Sequence, residues 1–414
     1  MRMFRKLLTF DEAKEAINRL PLSTLGCEEV TLLKGFNRVL AVDVNASLDI
    51  PPFDRSTVDG YAVRASDTFG ADEKQPMRIK VCGVVNVGEL PKIRVMKGEA
   101  AEIVTGAPIP DGSDAVVMVE DTEREHGELR VFSPVTKNEN VMKKGSDIKK
   151  DETVLRAGQT LGSREIGVLA ALGMARVKVF MVPNVAVLSS GGEVTEPGRE
   201  LPPGKIYDIN AYSLSAAVME SGGNPVYMGV VPDDETELRE TLERALSCSD
   251  MVLTSAGVSV GPKDLMPQTV DSLGKPGVVF SGVAVKPGKP TTVALIGGKP
   301  VFSLPGHPAS ALLIFHLLVR PVVQRLSGRA SVEPASVKAV AGARMFSAKG
   351  RRTFVMVKLS RGKSNMLVAS PVETGASGAI TTLAKADGYV EIPEKQQFVD
   401  MDEEVVVTLL KGVA

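Results

Sequence analysis

The sequence predicts a multi-domain chain that combines α/β and β architecture, with a doubly wound α/β domain at its centre. Three observations carry this expectation. At 414 residues the chain is too long for one hydrophobic core, so two to four domains are expected. From Val185 to Leu326, apolar runs, polar loops and helical patterns alternate, the rhythm of a parallel sheet wrapped by helices. On both sides of that stretch, from about Met77 to Pro134 and after Gly328, the texture is short β-branched runs separated by turns.

Taken in order, Thr9-Phe10-Asp11-Glu12 fits a capping box that opens an amphipathic helix through Leu20. Pro51-Pro52-Phe53 breaks the pattern. Strands are expected over Arg78–Val85, Ala101–Val104, Ala115–Glu120 and Leu129–Phe132, which make a small β domain. A helix returns at Ser163–Leu172 with Ser163 as its N-cap, so the β unit reads as an insertion between two halves of an otherwise helical linking domain. In the α/β stretch, strands are expected at Val185–Leu188, Val226–Val231, Met251–Leu253, Val278–Val285, Thr291–Ile296 and Val301–Leu304. Asn210 is placed as a helix cap, Asp233-Asp234 open a helix through Leu246, and Ala309–Leu326 is one long apolar helix. Val337–Val340, Thr353–Leu359, Met366–Val368, Tyr389–Ile392 and Val405–Leu410 suggest a terminal β-barrel or sandwich. The expected division is 1–49 with 142–181 as the linking domain, 50–141 as the inserted β domain, 182–329 as the α/β domain and 330–414 as the barrel.

Composition excludes several classes. A hydrophobic content of 43% and a charged content of 24% are those of a globular protein. A net charge of −1 gives no support for a nucleic-acid or membrane partner, so any anion site must be local. Cys27, Cys82 and Cys248 form no CxxC or paired framework, which favours a reducing compartment, and His126, His307 and His316 show no zinc spacing. Asp11 and Glu12 interrupt the N-terminal apolar stretch before a signal sequence could form, and no apolar run reaches spanning length, so the expected location is cytoplasmic.

The chemistry concentrates in polar, glycine-bearing loops that each follow a short apolar run. Thr254-Ser255-Ala256-Gly257-Val258-Ser259-Val260-Gly261-Pro262-Lys263-Asp264 brings hydroxyls, two glycines and a carboxylate. Lys286-Pro287-Gly288-Lys289-Pro290 holds two cations on a proline-stiffened backbone, and Pro305-Gly306-His307-Pro308-Ala309-Ser310 makes a rigid turn before a helix. Backbone amides near glycine can cradle phosphate, while carboxylates suit Mg²⁺. Glu193, Asp233 and Asp234 also follow predicted strands and should face the same edge, where a cation would neutralise them if they converge with Asp264; a single aspartate there reads first as an N-cap. Far upstream, Pro51 to Val63 packs charge, hydroxyl and aromatic groups into one loop, which reads as a functional segment or as a linker with an Asp54–Arg55 charge pair.

Together these strings resemble the molybdenum-insertion enzymes of molybdenum-cofactor synthesis, the molybdopterin molybdenumtransferases and the C-terminal domain of gephyrin. The matching segments are Pro52-Phe53-Asp54-Arg55-Ser56 with Asp59-Gly60-Tyr61-Ala62-Val63, Thr105-Gly106-Ala107-Pro108, and Gly204-Lys205-Ile206-Tyr207-Asp208 with Asn210. Ser259-Val260-Gly261 with Asp264, Lys286-Pro287-Gly288-Lys289-Pro290, and the Pro305-Gly306/Pro308/Ser310 turn complete the set, in family order over nearly the whole chain. The resemblance implies a molybdopterin-binding type of α/β domain and an elongated homodimer. Its cleft would lie between the α/β domain of one subunit and the inserted β domain of the other. Adenylylated molybdopterin and molybdate (or tungstate) would be the substrates, Mg²⁺ the cofactor, AMP a product, and a molybdopterin adenylyltransferase a candidate partner.

By the same resemblance, chemistry falls to Asp59, Thr105, Asp147, Asp264, Lys286 and Lys289, with Asp59, Thr105 and Asp147 supplied by the partner subunit. Substrate contacts fall to Asp54, Ser56, Glu193, Ser255, Gly257, Ser259, Gly261, Pro305, Gly306, His307, Pro308, Ser310 and Ser377, and metal contacts to Asp233, Asp234 and Asp264. The chain departs from the family pattern at Met142, Ser146, Gly192, Ala256, Gly282 and His307; Met142 and Gly282 each stand where a cation is common. These departures keep a tungstate-using or low-activity paralogue, or a non-catalytic dimeric scaffold, beside the leading expectation.

Overall fold

The computed structural model describes residues 7–255, 265–330, 334–362, 365–372 and 381–410. Helix α1 (Phe10–Asn18) opens on the expected capping box: Glu12 N donates to Thr9 Oγ1 at 3.2 Å and Thr9 N to Glu12 Oε2 at 2.7 Å. Its apolar stripe, Phe10, Ala13 and Ile17, is buried in a core shared with the α/β sheet and with Phe354, Met356 and Tyr389 near the C-terminus.

The linking segments carry strand pairs that the helical reading did not pick out. Cys27–Thr31 pairs antiparallel with Arg176–Phe180, and Val44–Asn45 with Thr153–Leu155, so the chain before and after the insertion is zipped together. These strands are two to five residues long, too short to show periodicity in sequence. Helix Ser163–Ala171 follows, but Gly162, not Ser163, is its N-cap; Glu165 Oε2 takes the Gly162 amide at 2.9 Å and fills the role expected of a serine hydroxyl.

The inserted domain is a six-stranded sheet in the order Ala115–Met118, Gly60–Val63, Glu99–Ile103, Met77–Val85, Glu128–Val131, Thr122–Glu125. Each face buries its own apolar cluster, one around Tyr61, Val63, Ile79 and Leu129, the other around Ala62, Val85, Ile103 and Val116. All four predicted strands are present, with ends shifted by one or two residues.

The central sheet contains β1 (Asn184–Ser190), β2 (Asn224–Val231), β3 (Met251–Ser255), β4 (Pro276–Ser281), β5 (Thr292–Ile296) and β6 (Lys299–Leu304) in the order β2-β1-β3-β6-β5-β4. Pairings β2/β1, β1/β3 and β3/β6 are parallel, and β5 alone runs against the others. Helix α2 (Asn210–Glu220) and a C-terminal helical stretch cover one face, while α3 (Glu235–Cys248) and α4 (Met266–Ser272) cover the other, which is the doubly wound arrangement. The predicted strand Val278–Val285 is in fact two: β4 ends at Ser281, Gly282 turns the chain with φ +93°, and Val285–Lys286 leaves to join the C-terminal sheet. The predicted helix Ala309–Leu326 is likewise α5 (Pro308–Ile314), a π turn at Phe315–Val319, and α6 (Arg320–Leu326). Contrary to expectation, Pro308–Leu326 is long and apolar enough to span a bilayer by length and composition, but most of it is buried inside the protein.

The C-terminal strands β7 (Ser336–Ala341), β8 (Arg352–Arg361), β9 (Leu367–Pro371), β10 (Gly388–Ile392) and β11 (Glu404–Leu409) pair in the order β8-β9-β7-β11-β10, and β10 pairs back onto β8. The sheet is therefore a closed barrel, which leaves no free edge within the five strands.

Gly60 shows how tightly the insertion is built. A Cβ there would stand 1.9 Å from the Val117 carbonyl oxygen on the neighbouring strand, so Gly60→Ala must push two paired backbones apart. The expected cost is about 3 kcal/mol, read as a lowered denaturation midpoint; an unchanged midpoint would contradict the packing described.

Candidate functional site

After β1 the chain crosses to β2 on one side and then returns to β3 on the other, so β1 and β3 flank a topological switch point where open α/β sheets bind ligands. The register makes this edge level. Ser189 pairs with Ser255, and Ser255 with Leu304. Gly191–Glu193 leaves β1, Asp233-Asp234 leaves β2, the turn from Pro305 leaves β6, and Lys286–Lys289 lies between the end of β4 and the start of the antiparallel β5. All these predicted segments therefore arrive at one edge. Gly257, Ser259, Gly261, Asp264 and Ser377 lie outside the described residues, as does Ala256.

Two polar layers line the switch point. On the α2 face, Ser189 Oγ donates to Asp208 Oδ1 at 2.8 Å, and the same oxygen takes the Ala211 amide at 3.0 Å. Asp208 thus caps α2, the role expected of Asn210. Asn210 instead occupies the first helical turn, and its Nδ2 donates to Ser255 Oγ and to the Gly306 carbonyl, both at 2.6 Å. One amide therefore ties the end of β3 to the turn after β6. On the α3 face, pairing of Thr254 with Ser303 and alternation along β1 bring Ser190, Thr254 and Ser303 to the same side. Their hydroxyls are buried with no hydrogen-bond partner among the described residues. Buried polar groups are rarely left so, and a row of three at a switch point offers donors and acceptors to water or ligand.

The cations stand at the rim. Lys286 is exposed, Lys289 half-buried, and neither forms an ion pair with a described residue. Gly288 between them has φ +107°, and a Cβ there would meet Ile314 Cδ1 at 2.4 Å, so glycine lets the loop lie directly on α5. Gly282, one of the departures from the expected family pattern, has φ +93°, and a Cβ there would approach Leu7 to 2.6 Å. His307 is exposed at the start of α5 and makes no side-chain capping bond, whereas Pro305 and Ser310 are buried.

Of the expected metal carboxylates, Asp264 lies outside the described residues, and Asp233 and Asp234 each engage a backbone amide. Asp234 Oδ1 caps α3 through the amides of Thr236 and Glu237 at 2.9 and 3.0 Å, and Asp233 Oδ2 takes the Gly192 amide at 3.3 Å. Among the described residues no group of three or more acidic, His or Cys side chains is placed to hold a metal. Helix capping won at Asp234 because the first amides of α3 have no other partner.

In the inserted domain, Asp59 Oδ1 accepts from Thr105 N at 2.6 Å and Thr105 Oγ1 at 2.8 Å. Those two bonds hold the Asp59 carboxyl below its ordinary value. Asp54 does not pair with Arg55. It binds Lys143 Nζ at 2.7 Å and the Lys144 amide at 2.8 Å; burial pushes its carboxyl up, but these contacts outweigh it and hold the carboxyl low. Arg55 reaches the Met142 sulfur at 3.3 Å instead. Ser56 is buried, with its hydroxyl donating to the Val58 carbonyl at 2.6 Å, so it shapes the loop and presents nothing to a ligand. Asp147 is exposed beside this loop, its amide bonded to the Ile50 carbonyl at 3.0 Å.

Comparison with known proteins decides what this edge belongs to. Residues 8–173 match the MoeA N-terminal region (domain I and II), residues 186–325 a probable molybdopterin binding domain, and residues 338–410 the MoeA C-terminal region (domain IV). The molybdopterin molybdenumtransferase of Nostoc sp. is 34% identical, over 97% of this chain and 93% of its own. The chain belongs to the molybdopterin molybdenumtransferase family. Molybdopterin molybdenumtransferase 2 of Mycobacterium tuberculosis is also 34% identical, over 89% of this chain and 92% of its own. Two solved molybdopterin biosynthesis MoeA proteins of Pyrococcus horikoshii superpose with TM-scores of 0.85 and 0.82, at 44% and 34% identity. They cover 99% and 98% of this chain and all of their own. This is a family of transferases of molybdenum-cofactor biosynthesis.

Within that family frame, Asp208 and Asn210 lie in a matching string, yet neither is among the site residues that the resemblance implies. Their signal was present: two polar residues that flank a helix start immediately after the Gly204 segment. Which of them caps and which turns inward depends on a strand forty-five residues away. The structure also makes the Asp59–Thr105 contact testable. Its lowered carboxyl contributes stability above the ordinary value of 3.8 and loses it as pH falls through the folded value. Thr105→Val removes the hydroxyl but keeps the amide, so the Asp59 titration, followed by carboxyl NMR, should move up towards 3.8 without reaching it. Asn210→Ala should leave Ser255 and the Gly306 turn untied and cost about 1–3 kcal/mol in thermal stability, while Asn210→Asp, which has no donor, should not rescue it.

Proposed function

We propose that this chain inserts molybdate into adenylylated molybdopterin, with cleavage of the pyrophosphate link and release of AMP. The observation that carries the reading is the convergence of the switch point, two free lysines and glycine-bearing turns at one edge of a domain that matches a molybdopterin binding domain. Lys286 and Lys289 hold the oxyanion and phosphate charge at the rim. The Asn210-anchored turn, the Pro305–Pro308 backbone and the hydroxyl row of Ser190, Thr254 and Ser303 orient the substrate below.

Mg²⁺ fits the donor chemistry. Glu193, Asp233 and Asp234 follow neighbouring strands, and a Mg²⁺ site needs only one or two carboxylates beside substrate phosphates and water. Glu193 and Asp233 would hold it, with Asp264 contributing from beyond β3. When bound, the ion supplies neutralisation of phosphate charge.

The Asp59–Thr105 pair belongs to this reaction as the second wall of the cleft, contributed by the other subunit of a homodimer. In support, Val104, Met118 and Val119 are exposed apolar residues around that pair, and Asp59 accepts the Val119 amide through its carbonyl at 3.0 Å.

The test is AMP release from adenylylated molybdopterin with molybdate and tungstate in parallel. Molybdate-dependent, Mg²⁺-dependent release is expected, and none with either oxyanion would sink the reading. Lys286→Glu, which puts a negative charge where the oxyanion would bind, and Asp59→Asn should each inactivate the protein. Mixed and re-equilibrated, they should recover about a quarter of wild-type activity, since half the dimers are mixed and one of their two clefts is intact. No recovery would place both residues in one subunit's site.

A further inference from the structure

Arg352, at the start of β8, is the most heavily engaged cation among the described residues, and it lies outside every segment the reaction uses. Its side chain is 15% exposed and meets three carboxylates: Asp11 through a fork of 2.9 and 2.7 Å, Glu394 at 3.0 Å and Glu391 at 3.2 Å. It also lies 5.2 Å over the Phe10 ring, which packs edge-on against Phe354 at 5.3 Å.

The backbone around Arg352 explains why this matters for the site. Leu8 N donates to the Gly282 carbonyl at 3.3 Å, and Ala284 N returns to the Leu8 carbonyl at 2.7 Å. Arg352 N then donates to the Ala284 carbonyl at 3.0 Å, and Val285 and Lys286 pair in register with Arg352 and Thr353. Three chain segments are thus laid side by side, and the Arg352–Asp11 fork closes them into a ring. The middle segment ends on Lys286. The Val283 amide on the Lys289 carbonyl at 3.0 Å and the contact of Gly288 with Ile314 fix the far end of the loop, and the ring fixes the Lys286 end, where the strand is only two residues long.

We propose that Arg352 is a positioning residue for the oxyanion lysines: by locking helix α1, the 282–286 segment and the barrel together, it holds the Lys286–Lys289 loop at the edge of the α/β sheet. This rests on the reading that Lys286 takes the oxyanion. A guanidinium suits the task because its planar fork meets a carboxylate through two parallel bonds, which an ammonium cannot do.

The experiment is AMP release by the full chain with molybdate varied at saturating adenylylated molybdopterin. Arg352→Met is expected to raise the KM for molybdate about tenfold with kcat within about twofold, and in a Lys286→Ala background to add clearly less than it does alone, since only Lys289 is left to misplace. Asp11→Asn, which breaks the fork but leaves Glu391 and Glu394, should shift KM the same way by less, and it serves if Arg352→Met fails to fold. Arg344→Met, which removes an ion pair with Asp400 elsewhere on the barrel, is the control for stability alone and should leave KM unchanged. If Lys286→Ala raises KM while Arg352→Met and Asp11→Asn do not, or if the Arg352 and Lys286 effects multiply, the positioning role is overturned. If Lys286→Ala itself leaves KM unchanged, the lysine reading fails and this proposal with it.

Discussion

Backbone pairing of Ser189 with Ser255, and of Ser255 with Leu304, is the constraint on which the rest of the chemistry depends. It brings the ends of β1, β3 and β6 level at the point where the strand order reverses. A shift of one residue in any of these strands would turn its hydroxyl and apolar positions to opposite faces. With the register as it stands, Ser189 and Ser255 meet Asp208 and Asn210 on the α2 face, while Ser190, Thr254 and Ser303 line the other. The strands are buried on both faces, so slippage would exchange side chains between two packed cores and separate the buried polar groups from their partners.

The second organising feature is that the domains are not simply strung together. Helix α1 begins the chain, yet its stripe is buried beside Phe354 and Tyr389 from the barrel and beside the α2 face of the central sheet. Val285–Lys286 leaves the α/β domain to become an edge strand on that barrel. The rim that carries the lysines is therefore supported by three parts of the chain distant in sequence. The inserted domain, in contrast, keeps its own two cores and presents Asp59 and Thr105 on its own surface.

Much of this was legible before the structure. The alternation of apolar runs and polar loops located the six-stranded sheet, and the described loops that follow those runs do gather at one edge of it. The capping box at Thr9 and the cap at Asp234 were readable because both depend on residues three apart in sequence. Two features differ because the competing partner is remote: Asp54 finds Lys143 instead of Arg55, and the run Val278–Val285 breaks at Gly282 because Leu8 and Arg352 claim the backbone beyond it. Ser163 loses the cap to Gly162 for a local reason, since Glu165 takes the Gly162 amide three residues away. The uninterrupted apolar stretch Pro308–Leu326 likewise concealed a π turn.

By itself the sequence determined the kinds of element, their order, the family and the chemistry of the loops, since local periodicity, turn residues and motif spacing are short-range properties. Only the tertiary structure decided which polar group answers which. Asn210 faces Ser255 and Gly306, Asp54 binds Lys143, and Arg352 reaches across 341 positions to Asp11. Those choices follow from competition among buried donors and acceptors brought together by packing, and no local pattern encodes the outcome of that competition.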